Sequence, residues 1–100
     1  VNSPIAAIKA AVAEEFGITV AELVGRSREV KYAHPRAIAM QLALELTKAS
    51  FQAIAREFDC RHHSTIHSAI GRSHNLIDSF PEYRDRREAV KRVLMSPPTP

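Results

Sequence analysis

One hundred residues, 45% of them apolar, suffice for one small domain with one core. The single cysteine excludes an intramolecular disulfide, no apolar run approaches the roughly 18 residues a spanning helix needs, and the first residues lack the pattern of a secretory signal, so a cytoplasmic protein is expected. The net charge of +3 is mild but unevenly spread: residues 1–25 balance at −2, whereas residues 26–36, "RSREVKYAHPR", carry Arg26, Arg28, Lys31 and Arg36 against Glu29 and balance at +3.

Taken in chain order, the pattern predicts six helices and almost no strand. Ser3 and Pro4 suit the N-cap and first position of a helix, with Ile5, Ile8, Val12 and Phe16 at helical spacing and Gly17 as its stop. Thr19 and Glu22 form a capping box that opens a short helix, with Val20, Leu23 and Val24 apolar and Gly25 at its end. The basic block follows as a loop. Pro35 is expected at the first position of a third helix reaching about Ala49, with Ile38, Leu42 and Leu46 as its stripe, widened by Ala39 and Ala43. Ser50 caps a fourth, with Phe51, Ile54, Ala55 and Phe58 inward. After the turn "DCR", a fifth turns Ile66, Ala69, Ile70 and Ile77 inward and ends near Phe80–Pro81. A sixth holds Tyr83, Val90, Val93 and Leu94 beside an exposed charged face. Residues 1–95 are expected to form a single domain, and the tail 96–100 to fray.

The segment with the most chemistry is "EFDCRHHSTIHSAI", residues 57–70. A short helix, a tight turn and a longer helix with a polar first turn is the pattern of a helix-turn-helix, whose second helix enters the major groove of DNA by its N-terminal end. Ala55 is small where the two helices cross, and Asp59 tolerates the positive φ that such a turn asks for. Arg61, His62, His63, Ser64 and Thr65 then stand at a helix N-terminus, where free N–H groups favour phosphate. Their side chains can also meet base edges. A plain solvated first turn has the same residue types. Zinc is the competing chemistry: His63 and His67 are four apart and Cys60 is close. But a structural zinc site takes four ligands, there is no second Cys, and Ser64 stands where an HExxH motif needs Glu. No metal or cofactor is therefore expected.

"IAREFDCRHHSTIHSA" resembles the signature of the C-terminal DNA-binding domain (domain IV) of the bacterial chromosomal replication initiator DnaA, Phe-Gly-Gly-Arg-Asp-His-Thr/Ser-Thr. "HPRAIAMQLALELT" resembles the helix preceding it in that family, and "AVAEEFGITVAELVGRSR" is similar to its opening helices and basic loop. The resemblance spans roughly residues 4–94. It implies an all-α, Trp-repressor-like domain that binds a short asymmetric box of double-stranded DNA. It also implies a minor-groove arginine, which is Arg28 by its distance from Pro35 or Arg26 by the local "RSR" pattern, and a phosphate contact at Arg36. Arg61, His63, Ser64 and Thr65 match the family's reading head. Asp59 and Cys60 replace two turn glycines, His62 a base-reading aspartate, Ala37 a backbone-contacting glutamine, and Leu44 a basic residue facing DNA. No nucleotide-binding GxxxxGK[ST] is present.

Three functions compete on this reading. A monomeric, sequence-specific DNA binder at a replication origin or promoter is favoured by the basic set from Arg26 to Arg36 together with Arg61. A related protein-interaction module or regulator that has altered or lost the box is motivated by Leu44 and His62. An enzyme is not expected, because the histidines lack a carboxylate or nucleophile partner at a recognisable spacing.

Overall fold

The computed structural model describes residues 4–25, 27, 29–58 and 64–95. Among them the chain forms six helices and no strand, as the periodicity predicts: α1 (Pro4–Phe16), α2 (Val20–Val24), α3 (Val30–Leu46), α4 (Phe51–Glu57), α5 (Ser64–Ser79) and α6 (Pro81–Met95). The expected cap at Ser3, the positive φ at Asp59, the place of Cys60 in the turn and the fraying of the tail from residue 96 all fall outside the described residues.

The early boundaries follow from local chemistry. Gly17 adopts φ +68°, its N–H donates to Glu14 O (3.2 Å), and the Ile18 N–H reaches Ala13 O (2.9 Å). This is a Schellman closure, which satisfies two of the carbonyls that α1 would otherwise leave open. Thr19 Oγ1 accepts from the Glu22 N–H (3.0 Å) while Glu22 Oε1 accepts from the Thr19 N–H (2.9 Å), the reciprocal capping box. Ser50 Oγ accepts from the Ala53 N–H (3.1 Å) and opens α4.

α3 departs from its predicted bounds. It starts at Val30, with Glu29 as N-cap, so Pro35 sits inside it rather than at its first position. A proline there removes the hydrogen bond to the carbonyl four residues back and crowds that carbonyl, yet α3 runs on through it. α3 also ends at Leu46, short of Ala49. The Thr47 hydroxyl donates to Ala43 O and accepts from the Ala49 N–H, which turns the chain away.

α3 is the axle of the fold. Pro35 and every residue from Ala37 to Ala43 are buried, and α1, α2, α4 and α5 all pack against it. A helix covered all round needs apolar residues all round, which is wider than the expected stripe. α1 contributes Ile5, Ile8, Val12 and Ala13, and α4 contributes Ile54 and Ala55, with Phe58 just beyond its end. On α5 the inward line is Ile66, Ala69, Ser73 and Leu76, so Leu76 takes the place expected of Ile77, which is half-buried beside Ile70. On α6 only Val90 is buried, and Val93 is 68% exposed. α6 is tied down by polar bonds instead. Arg87 donates to the buried Gln41 Oε1 (2.8 Å), to Glu45 Oε2 (2.6 Å) and to Glu88 Oε1 (2.9 Å). An aromatic corner adds to this, where Tyr83 stacks on Phe16, meets Phe80 edge-on and shares a hydrogen bond with His34 Nδ1 (2.9 Å).

Candidate nucleic-acid interface

The predicted helix-turn-helix corresponds to α4 and α5. Of the five reading-head residues, Arg61, His62 and His63 lie outside the described residues. Ser64 and Thr65 are the first two residues of α5 and both are exposed, while Ile66, immediately after them, is fully buried. That anchor fixes the rotation of α5. Residues three, four and seven apart share a helical face, so the exposed Ser68, Gly71, Arg72 and Asn75 continue the face that Ser64 and Thr65 begin. Sequence reasoning stopped at Thr65. The signal for the rest was there, since everything at this spacing is polar or glycine.

His67, the second histidine of the possible chelate, stands 4.0 Å centroid to centroid from the Phe51 ring at the start of α4. No group of three or more His, Cys, Asp or Glu that could hold a metal ion forms among the described residues.

The basic block is less of a loop than predicted. Arg26 and Arg28 lie outside the described residues, and the irregular stretch ends at Glu29. Lys31 and Arg36 are therefore carried on α3. Lys31 is exposed, 3.6 Å from Glu29 Oε2 and 5.0 Å over the Tyr32 ring. Tyr32 first, and Glu29 after it, hold its pKa above the ordinary lysine value, so it remains a cation. The Tyr32 hydroxyl in turn donates to Glu22 Oε2 (2.8 Å). The Thr19 backbone N–H, then this hydroxyl, lower the Glu22 pKa.

Arg36, the expected phosphate contact, also has partners within the protein. Its Nε donates to Leu23 O (2.6 Å), its Nη1 to Ser27 O (2.8 Å) and its Nη2 to Glu22 O (3.4 Å). The cause lies at the end of α2. Gly25 is extended there, at φ −67° and ψ −177°, so no left-handed turn closes the last carbonyls of α2. A guanidinium with a planar fork of donors closes them from α3 instead. The sequence carries no local sign of this, because the partners are 13 and 14 residues apart.

Two further expected positions resolve. Ala37, assigned to a backbone-contacting position, is 1% exposed and belongs to the core. Leu44, assigned to a DNA-facing position, is 37% exposed and does lie on the surface. His34 lies on α3 within the basic segment. Burial first, and then the charge of Arg72, hold its imidazole below the ordinary histidine pKa.

Comparison with known proteins bears on the same elements. The family described as bacterial dnaA protein helix-turn-helix matches residues 5–72. The chain is 38% identical over 89 residues to the chromosomal replication initiator protein DnaA of Acinetobacter baylyi, covering 89% of this chain and 19% of that protein. It is 35% identical over 92 residues to the protein of the same name from Latilactobacillus sakei, covering 92% of this chain and 20% of that protein. The chain thus spans about a fifth of the length of the curated relatives it matches.

Proposed function

The chain belongs to the bacterial DnaA helix-turn-helix family, a DNA-binding family, and we propose that it acts as a sequence-specific reader of double-stranded DNA. The first turn of α5 enters the major groove, with Arg61 to Thr65 facing bases and phosphates. Arg26 or Arg28 enters the adjacent minor groove. The target is a short asymmetric box of the kind an initiator uses at a replication origin or promoter. One observation carries this reading: Ser64 and Thr65 lead α5 with nothing covering them, directly ahead of the buried Ile66 that fixes their direction. The role is one of binding rather than catalysis and needs no cofactor. The protein works as a monomer in the cytoplasm, on the nucleoid, with other replication proteins as further partners. No helix among the described residues is long and apolar enough to cross a membrane.

Selection from a random duplex pool, followed by gel shifts at low and moderate salt, tests this. The expected result is one non-palindromic motif with an A·T-rich flank, bound by one chain as read by light scattering. A strict palindrome, or a tight dimer at tens of micromolar, overturns the monomer. Absence of any enriched motif overturns the function. The exposed Leu44, apolar at a position the family resemblance turns toward DNA, is the observation that favours the second reading, a regulator or protein-interaction module with altered box specificity. A motif unrelated to the family's box supports that reading.

A further inference from the structure

The seven residues of α4 bury only Ile54 and Ala55 within the helix. So short a helix has few apolar contacts to set its tilt. Its tilt matters, because α4 packs against α5, whose first turn is the proposed reading head. Phe58, 1% exposed in the core, anchors the exit of α4, and a second, polar contact comes from α1. Lys9 Nζ donates to Glu57 Oε2 (2.9 Å) and to Glu57 O (3.0 Å), and stands 5.9 Å over the Phe58 ring. Its side chain is 14% exposed. A lysine is costly to desolvate, yet this one has a carboxylate, a C-terminal helix carbonyl and an aromatic face as partners. Glu57 O is one of the last carbonyls of α4, the kind left without a donor in its own helix.

We propose that Lys9 is a positioning residue for DNA recognition: by locking Glu57 and the Phe58 ring to α1 it fixes α4, which packs against α5, and thereby sets the placement of Ser64 and Thr65. This rests on the DNA-reading function proposed above. Lys9 touches no DNA in this arrangement. It governs the ratio of specific to non-specific affinity, not the electrostatic attraction that all sequences share.

The experiment compares the full chain with Lys9→Met, which keeps the apolar stem, Lys9→Arg, and Glu57→Gln. Each is measured below its Tm, where circular dichroism shows it folded. The probes are the selected duplex and a shuffled duplex of the same composition, each over a salt series, together with the amide NMR shifts of residues 58–66 in the free protein. Lys9→Met is expected to weaken the selected duplex about tenfold, equivalent to about 1.4 kcal/mol. The shuffled duplex and both salt slopes should stay unchanged. The amide shifts at the α4 exit should move, Lys9→Arg should restore most of the ratio, and Glu57→Gln should fall between. Equal loss on both duplexes with a salt slope lower by about one would make Lys9 a phosphate contact and overturn the proposal. An unchanged ratio with unmoved amides overturns it as well. A wild-type chain that prefers no duplex overturns the DNA-reading function itself, before any variant is compared.

Discussion

α3 supports its share of the proposed DNA contacts differently from α5. At the N-terminal end of α3 the basic segment is braced by the protein itself: Arg36 spans three backbone carbonyls, Tyr32 holds Glu22, and Glu22 closes a capping box. The first turn of α5 offers Ser64 and Thr65, and no hydrogen bond among the described residues engages either side chain. The basic segment is thus a structure that carries charges, whereas the first turn of α5 is a set of exposed polar groups, which the proposed function pairs with DNA. Damage to the first should register as lost stability and lost affinity together. Damage to the second should register as lost affinity alone.

Arg36→Ala tests the comparison most severely. Hydrogen bonds from a charged donor contribute about 1.5–3 kcal/mol each, and several disappear at once. We expect a loss of at least about 2 kcal/mol in urea unfolding, together with weaker DNA binding. Arg36→Lys should rescue little, because an ammonium does not span three carbonyls. Unchanged stability with a salt slope lower by about one would return Arg36 to the role of a simple phosphate contact.

Thr65→Val is the counterpart on α5. It should weaken the selected duplex by up to about tenfold, the roughly 0.5–1.5 kcal/mol of one neutral hydrogen bond. Stability should stay within about 0.5 kcal/mol, as for an exposed substitution. A comparable loss of stability would erase the contrast between the two regions.

Smaller effects sharpen it. Gly71 is exposed on the same face of α5, its φ is not in the left-handed region, and a Cβ there meets nothing within 4 Å. Gly71→Ala should therefore raise stability by about 1 kcal/mol. On the opposite face, the Ser73 hydroxyl is buried without a hydrogen-bond partner. Ser73→Ala should be neutral or stabilising by up to about 1 kcal/mol, because it removes an unmet polar group at little cost in volume. Both are read from urea midpoints.

The smallest expected effect is one of pH. The folded-state pKa of His34 lies below its ordinary value, so in that window the unfolded chain binds more protons. Stability is then fully present above about pH 6.5 and declines as pH falls through the window below it. His34→Gln should flatten Tm against pH there. DNA affinity should run the other way. If His62 is protonated beside phosphates, binding tightens from about pH 7.5 to 6, and His62→Asp removes part of that rise while moving the selected sequence toward the family's box. Identical consensus and pH profile for both would mean that His62 reads no DNA.

Legibility in the sequence followed the range of the interactions. Gly17, Thr19 and Ser50 act on neighbours within four residues, and each was readable as a cap. The number of helices and most core positions followed from periodicity. Pro35 misled because its local preference for a helix start was overridden by the burial of α3 on every side. Ala37 looked like a lost surface contact for the same reason. On the site, the residue types at Ser64 and Thr65 were legible and so was their exposure. The bracing by Arg36 and the lock by Lys9 were not, since one bridges 13 residues and the other 48. No pattern at helical spacing encodes such a pair.

The length of α3 has a consequence of its own. Its 17 residues make a rod of about 25 Å, with the basic segment at its start and the core wrapped around its middle. On the proposed function the domain is a caliper whose span is set by this rod, which itself carries Lys31 and Arg36. Exchanging the tips, by grafting another relative's residues 61–65, changes which letters are read. It leaves unchanged how far apart on the duplex the two readings fall. Altering that span means lengthening the rod, and every buried residue from Ala37 to Ala43 would have to be repacked to allow it.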